Sequence, residues 1–135
     1  MGAPSYRWHA AALALALLHH TDHALRGTHV GWPFTPQLNT FTYSLAIYPI
    51  VLLGFIVRSP RYWLAAVGGG LVMLAAVHVF IETPGEILGG YAQPAVGLVA
   101  FAVLLALIAV LAYLAWRYAL VVSATRRGTA RPRLS

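Results

Sequence analysis

The chain has 135 residues, of which 60% are hydrophobic and 9% charged, and its mean hydropathy is +0.74. This composition excludes an ordinary soluble domain, in which about 25% of residues are charged. The lack of cysteine excludes disulfides, thiolate metal ligands and cysteine nucleophiles. The formal net charge is +6, and the positive residues counted in it are all arginines. What this charge indicates about the protein therefore depends on where the arginines lie in the sequence.

Four apolar segments predict the fold. We expect an all-α integral membrane protein, a single transmembrane domain over residues 1–135 folded as a four-helix bundle. The predicted spans cover about residues 8–26, 40–57, 61–82 and 94–117. Each is long enough for a helix that rises 1.5 Å per residue to cross a hydrocarbon core of about 30 Å. The apolar runs are continuous, without the alternation of a barrel strand, which favours helices.

The arginines predict the orientation of the spans. With four spans, the N-terminus, the loop between the second and third spans, and the C-terminal tail share one side of the membrane. That side holds Arg7, Arg58, Arg61, Arg117, Arg126, Arg127, Arg131 and Arg133. The opposite side keeps Arg26. By the positive-inside rule we expect both termini to be cytoplasmic, in a multi-pass protein of a bacterial or archaeal cytoplasmic membrane.

The first span ends in a polar cluster that contains His19, His20, Asp22 and His23. Ionisable side chains inside a span are costly unless they are paired, metal-bound or facing a cavity, so the cluster predicts a functional site. On a helix, His19, Asp22 and His23 share one face, whereas His20 points about 100° away from His19. Arg26 falls one turn beyond Asp22 and can pair with it. The cluster also occupies the place of a signal-peptide cleavage site, which disfavours cleavage.

The second and third spans carry local signals of their own. An aromatic loop with His29 is expected between the first and second spans, and Pro49 predicts a kink in the second. Ser59 and Pro60 are typical of the N-cap and first position of a helix. Thr83 and the proline after it end the third span, and we expect a loop from there to residue 93.

Near the end of the third span, His78 and Glu82 are four residues apart. Counted at 1.5 Å per residue, His23 lies about 22 Å and His78 about 24 Å along their helices, so the two come to similar depth. Nitrogen and carboxylate ligands without sulfur suit zinc, iron, manganese, nickel or copper(II). We therefore predict a transition-metal site with His19, His23, His78 and Glu82 as ligands.

Several roles remain open for these residues. Glu82 and Asp22 are the candidate catalytic acid and base groups, and Asp22 is alternatively a ligand or a group that orients one. His23 and His78 are also candidates to bind a b-type haem in an electron-transfer subunit. A hydrogen-bonded network that holds the helix ends together is the structural alternative. A further alternative is a non-catalytic subunit or assembly partner of a larger membrane complex.

The fourth span is apolar as far as Arg117 and offers no reactive group. Residues 123–135 are predicted to form a basic cytoplasmic tail, which we expect to attract anionic lipid rather than nucleic acid. Membrane lipids, further copies of the chain or a larger complex are the expected partners. The sequence thus predicts a polytopic membrane protein with a metal site in its outer half, acting on a lipidic substrate as an oxidoreductase or a hydrolase.

Overall fold

The computed structural model describes residues 3–26 and 40–129. Within these two ranges the regular secondary structure is entirely helical, which confirms the predicted all-α class. The helices are α1 (Tyr6–Arg26), α2 (Thr40–Ser44), α3 (Ile47–Val57), α4 (Pro60–Phe80), α5 (Pro84–Gly89) and α6 (Pro94–Thr129). The aromatic loop and His29 lie outside the described residues.

Two of these helices, α4 and α6, are long and apolar enough to cross a membrane. They correspond to the third and fourth predicted spans, and α1 and α2 with α3 correspond to the first two. With 36 residues, α6 is about 54 Å long and exceeds a hydrocarbon core of about 30 Å. Residues 123–129 of the predicted tail continue α6, and residues 130–135 lie outside the described part of the chain.

The second predicted span is two helices, separated by a turn at Leu45 and Ala46. Pro49 explains the position of the break. A proline has no amide donor, and its ring clashes with the carbonyl four residues earlier, which here is the carbonyl of Leu45. That carbonyl instead accepts a hydrogen bond from the amide of Tyr48 at 3.2 Å, three residues on. The interruption therefore lies one turn before the proline that causes it.

The start of α4 confirms the predicted capping. The Ser59 hydroxyl accepts a bond from the Tyr62 amide at 3.5 Å, and Pro60 occupies the first helical position. Arg58, which precedes the cap, has a left-handed backbone with φ of 53°. The Tyr62 hydroxyl donates to the carbonyl of Ile50 at 2.6 Å, which ties the start of α4 to α3.

After α4 the chain turns sharply. The amides of Ile81 and Glu82 both donate to the carbonyl of Val77 at 2.9 Å, so the backbone curls over the helix end. Thr83 is extended, as a residue before proline prefers to be, and caps α5 together with Glu86. The prediction of a loop throughout residues 83–93 is therefore wrong for α5, because the short capping signal there starts a helix.

Contacts at both ends of the helices fix their directions. At one end, which we call the tryptophan end, the His9 ring lies 4.5 Å from the Trp63 ring and 5.8 Å from the Tyr118 ring, centroid to centroid. At the other, the histidine end, His19 of α1 meets His78 of α4. Helices α1 and α4 therefore run in the same direction, and α6 runs opposite to both.

The main core lies at the tryptophan end, between α4 and α6. It is built from Trp63, Val67, Leu114 and Tyr118, with the rings of Trp63 and Tyr118 stacked at 6.1 Å and 10°. Helix α3 joins this core through a close approach at Gly54, where a Cβ would lie 2.7 Å from a ring carbon of Trp63. The large Trp63 ring thus uses the space that a side chain at residue 54 would need.

A glycine on α6 sets how closely α5 packs. A Cβ on Gly97 would lie 2.8 Å from the carbonyl oxygen of Leu88, a backbone atom that cannot move aside on its own. We expect Gly97→Ala to lower the free energy of unfolding by about 1–3 kcal/mol, as overpacking does. Thermal unfolding in detergent measures the change. The control is Gly69→Ala, because no atom lies within 4 Å of the added Cβ and alanine favours a helix. Equal stability of the two variants would contradict the expectation.

Candidate metal centre

Three histidines from two helices meet at the histidine end. His19 and His23 lie one turn apart on the same face of α1, and His78 lies in the last turn of α4. The Nε2 atom of His19 lies 3.2 Å from Nε2 of His23 and 3.1 Å from Nε2 of His78. All three rings are buried, and each offers a ligand atom within 4.8 Å of the others. These three residues could hold a metal ion.

Glu82 completes the group, which we call the histidine centre: His19, His23, His78 and Glu82. Its side chain is 0% exposed. The carboxylate Oε2 lies 3.2 Å from Nδ1 of His78 and 3.5 Å from Nε2 of His23. Although the i, i+4 spacing was predicted on a helix, Glu82 lies just beyond α4, and the curl of the backbone over Val77 brings it back beside His78.

His20 has partners of its own on α2 and α3. Its Nε2 lies 2.9 Å from the Ser44 hydroxyl, and its Nδ1 lies 2.8 Å from the Tyr48 hydroxyl. Ser44 donates its single proton to the carbonyl of Phe41 at 2.6 Å, so it can only accept from His20. His20 therefore donates from Nε2 to Ser44, and its Nδ1 lies within hydrogen-bond distance of the Tyr48 hydroxyl. This histidine fastens α1 to the broken second span.

Asp22 is paired with Tyr91, whose hydroxyl donates a hydrogen bond to the carboxylate Oδ1. Tyr91 belongs to the segment between α5 and α6, so this bond joins the end of α1 to the start of α6. The predicted partner of Asp22, Arg26, has a side chain outside the described part of the structure. Sequence reasoning missed Tyr91, because nothing in the pattern relates two residues this far apart in the chain.

His9 is a buried polar residue that the sequence did not mark as part of any cluster. It is 3% exposed and lies among the aromatic rings of the tryptophan end. Its Nε2 lies 2.8 Å from the Tyr118 hydroxyl, and its Nδ1 lies 3.3 Å from the carbonyl of Ser5. Since a carbonyl can only accept, Nδ1 carries the proton and Nε2 accepts from Tyr118. Both nitrogens of His9 are therefore satisfied by the protein.

Compared with models of protein families, with curated proteins and with solved structures, the chain matches none of them. The site has therefore to be judged on its own geometry. In that geometry His19, His23 and His78 could share an ion, and Glu82, the fourth predicted ligand, lies beside His23 and His78. Asp22 is bonded to Tyr91, and His20 is directed toward α2 and α3.

The bond between Tyr91 and Asp22 gives a testable role to a residue outside the histidine centre. We expect Tyr91→Phe to loosen the end of α1, because a hydrogen bond to a charged group contributes about 1.5–3 kcal/mol. Amide hydrogen exchange should become faster over residues 19–26 and stay unchanged over α3. Tyr43→Phe is the control, since Tyr43 is 62% exposed. Unchanged exchange in Tyr91→Phe would show that the bond does not hold α1.

Proposed function

We propose that the histidine centre binds a transition-metal ion and that the protein is a membrane metalloprotein acting on a lipidic substrate. One observation carries the proposal: the buried Nε2 atom of His19 lies 3.1 Å from Nε2 of His78 and 3.2 Å from Nε2 of His23. Two nitrogens bound at about 2.05 Å to one tetrahedral ion lie about 3.3 Å apart. Both pairs that include His19 are therefore already near the spacing that a shared ion imposes, and all three ligand atoms lie within 4.8 Å of one another.

Protonation supports the same conclusion. Without an ion, Nε2 of His19 faces two other ring nitrogens, but a nitrogen of a neutral imidazole has either one proton or one lone pair, so it can pair with only one of them. An ion that takes the Nε2 lone pair of each ring leaves the protons on the Nδ1 atoms. In His78 that places the protonated Nδ1 3.2 Å from Oε2 of Glu82, an ion-pair distance at an angle outside hydrogen-bond geometry. A carboxylate beside a metal-bound histidine is a common way to fix the ring.

This arrangement gives Glu82 a positioning role through His78 and leaves three histidine ligands on the ion. Sites with three protein ligands keep a coordination position for water or substrate and are typical of catalytic metal centres. Glu82 is also the acid or base candidate closest to that position, since its Oε2 lies 3.5 Å from Nε2 of His23. If Glu82 instead bound the ion as a fourth protein ligand, no coordination position would remain for water or substrate.

The same distances argue against a b-type haem between His23 and His78, the predicted pair. A haem needs a flat space between its two histidine ligands. Here Nε2 of His19 lies 3.2 Å from Nε2 of His23 and 3.1 Å from Nε2 of His78, so the His19 ring fills that space. An absorption spectrum of the pure protein separates the two cofactors, because a haem gives a Soret band and a non-haem ion does not.

The membrane setting rests on the surface of the helices. Large apolar side chains are exposed on every long helix, for example Leu25 at 82%, Ile56 at 77% and Leu98 at 61%. Soluble monomers rarely expose contiguous apolar patches of this extent. We propose that α1, α2 with α3, α4 and α6 form the four predicted spans. Six of the seven arginines in the described ranges lie toward the tryptophan end, with Arg26 the exception, and this bias supports a cytoplasmic location for that end and for both termini.

Metal content tests the proposal. We expect the protein, purified without chelators, to carry about one transition-metal ion per chain, measured by elemental analysis. His19→Gln, His23→Gln and His78→Gln should each lower metal affinity roughly a hundredfold or more, since each removes a ligand. The control is His20→Gln, because His20 bonds to Ser44 and Tyr48. A folded wild type that stays free of metal after titration with zinc, iron, manganese, nickel and copper would falsify the proposal.

Glu82 has its own test. If Glu82 positions His78, Glu82→Gln should lower metal affinity on the order of tenfold to a hundredfold and leave the number of ligands unchanged. X-ray absorption of the zinc-loaded or cobalt-loaded protein counts the nitrogen and oxygen neighbours in wild type and variant. Loss of one oxygen neighbour in the variant would show that Glu82 is a ligand and that the site is closed.

A further inference from the structure

The histidine centre opens into a cavity between α1, α3, α4 and α6. The cavity has a volume of about 80 Å³ and reaches from the histidine end to His9 and Trp63. This is less than the roughly 150 Å³ of a cavity that holds benzene, so over this length the space fits a narrow chain rather than a ring. Between its ends the wall is aliphatic and includes Leu13, Ile47, Val67, Leu74, Leu107 and Leu111.

The two ends of the cavity differ in what they offer to a ligand. At the tryptophan end, both nitrogens of His9 are occupied, one by Tyr118 and one by the carbonyl of Ser5. A polar ligand group there would lose its water without gaining a partner from His9. At the histidine end, an ion held by three neutral imidazoles would keep a net positive charge and an open position. The cavity is thus suited to a molecule that is polar at one end alone.

We infer that the cavity binds a single-chain amphiphile, with an anionic oxygen head on the metal and an apolar tail directed toward Trp63. This inference rests on the proposed metal centre for the head and on the cavity alone for the tail. Ten residues of α1 separate His19 from His9, which corresponds to a depth of about 15 Å. Tail length is therefore the property that the cavity selects.

A series of alkanoic acids of increasing chain length tests the inference. Binding to the metal-loaded protein in detergent is measured by titration calorimetry, with the alkyltrimethylammonium of equal chain length as the control for the head. Each buried methylene should raise affinity about fourfold, equivalent to about 0.8 kcal/mol, until the tail reaches the end of the cavity. Beyond that length the affinity should level off. Simple partition into detergent has no such limit, so continued growth over the whole series would overturn the inference.

Two neighbouring glycines on α4 supply matched variants. Gly70 lines the cavity, and a Cβ there would lie 3.4 Å from Ile47 Cδ1. Gly69 is exposed, and no atom lies within 4 Å of its added Cβ. Gly70→Leu should weaken binding of the longest acids at least tenfold and move the plateau to shorter chains. Gly69→Leu should bind as the wild type does. Ala66→Leu, also in the cavity wall, repeats the test if Gly70→Leu does not fold.

Metal content of the same samples separates this inference from the proposal on which it rests. Retained metal with equal acid binding in Gly70→Leu and Gly69→Leu would overturn the inference and leave the metal centre standing. A metal-free wild type that shows the plateau and the Gly70 effect, but binds both head groups alike, would support the tail cavity and overturn the assignment of the head. Retained metal, a plateau and a preference for the acid would support both parts.

Discussion

The burial of Glu82 beside three histidines is the constraint on which the rest of the molecule depends. A carboxylate that is 0% exposed in so apolar a protein is tolerated only when partners replace its lost water. The groups closest to its Oε2 atom come from two helices, since His23 is on α1 and His78 is near the end of α4. The ends of these two helices must therefore lie at the same depth. The sharp turn after α4 serves the same need, since it brings Glu82 back over its own helix.

Helix α6 makes that arrangement possible without packing α1 directly on α4. Among the described helices, the principal packing joins α6 to α4, to α1 and to α5, and joins α3 to α4. With α1 and α4 each held against the same long helix, their facing surfaces stay apart between the two ends. Side chains bridge the gap at His19 with His78 and at His9 with Trp63. The cavity is the space that remains between these bridges.

The sequence contained most of the information about the histidine centre. Helical spacing placed His19 and His23 on one face, and counting the rise per residue brought His78 to their depth, as the structure shows. The counting worked because both helices begin at the same end and run almost without interruption. It could not establish the role of Glu82, which depends on how the backbone curls after Phe80 rather than on helix period.

Features that depend on contacts distant in the chain could not be predicted. The pairing of Asp22 with Tyr91 and of His9 with Tyr118 requires knowledge of how α6 packs. The prediction that Pro49 distorts the second span was right, although it did not give the position of the break. The break lies one turn before Pro49, because a proline ring clashes with a carbonyl of the preceding turn. Helix α5 was missed because glycines dominate the segment and conceal the cap formed by Thr83 and Glu86.

The great length of α6 has a mechanical consequence. The buried residues of α6, which include Gly97, Leu104, Leu114 and Tyr118, fall on one stripe, and the helix runs without interruption from Pro94 to Thr129. From Gly97 to Tyr118 the axis advances about 32 Å, which matches the roughly 30 Å thickness of a lipid hydrocarbon core. Such a helix is stiff along its whole length. The packing of α5 on Gly97 at one end and of Trp63 on Tyr118 at the other is therefore carried by one continuous rod, so neither contact can shift along the axis without the other.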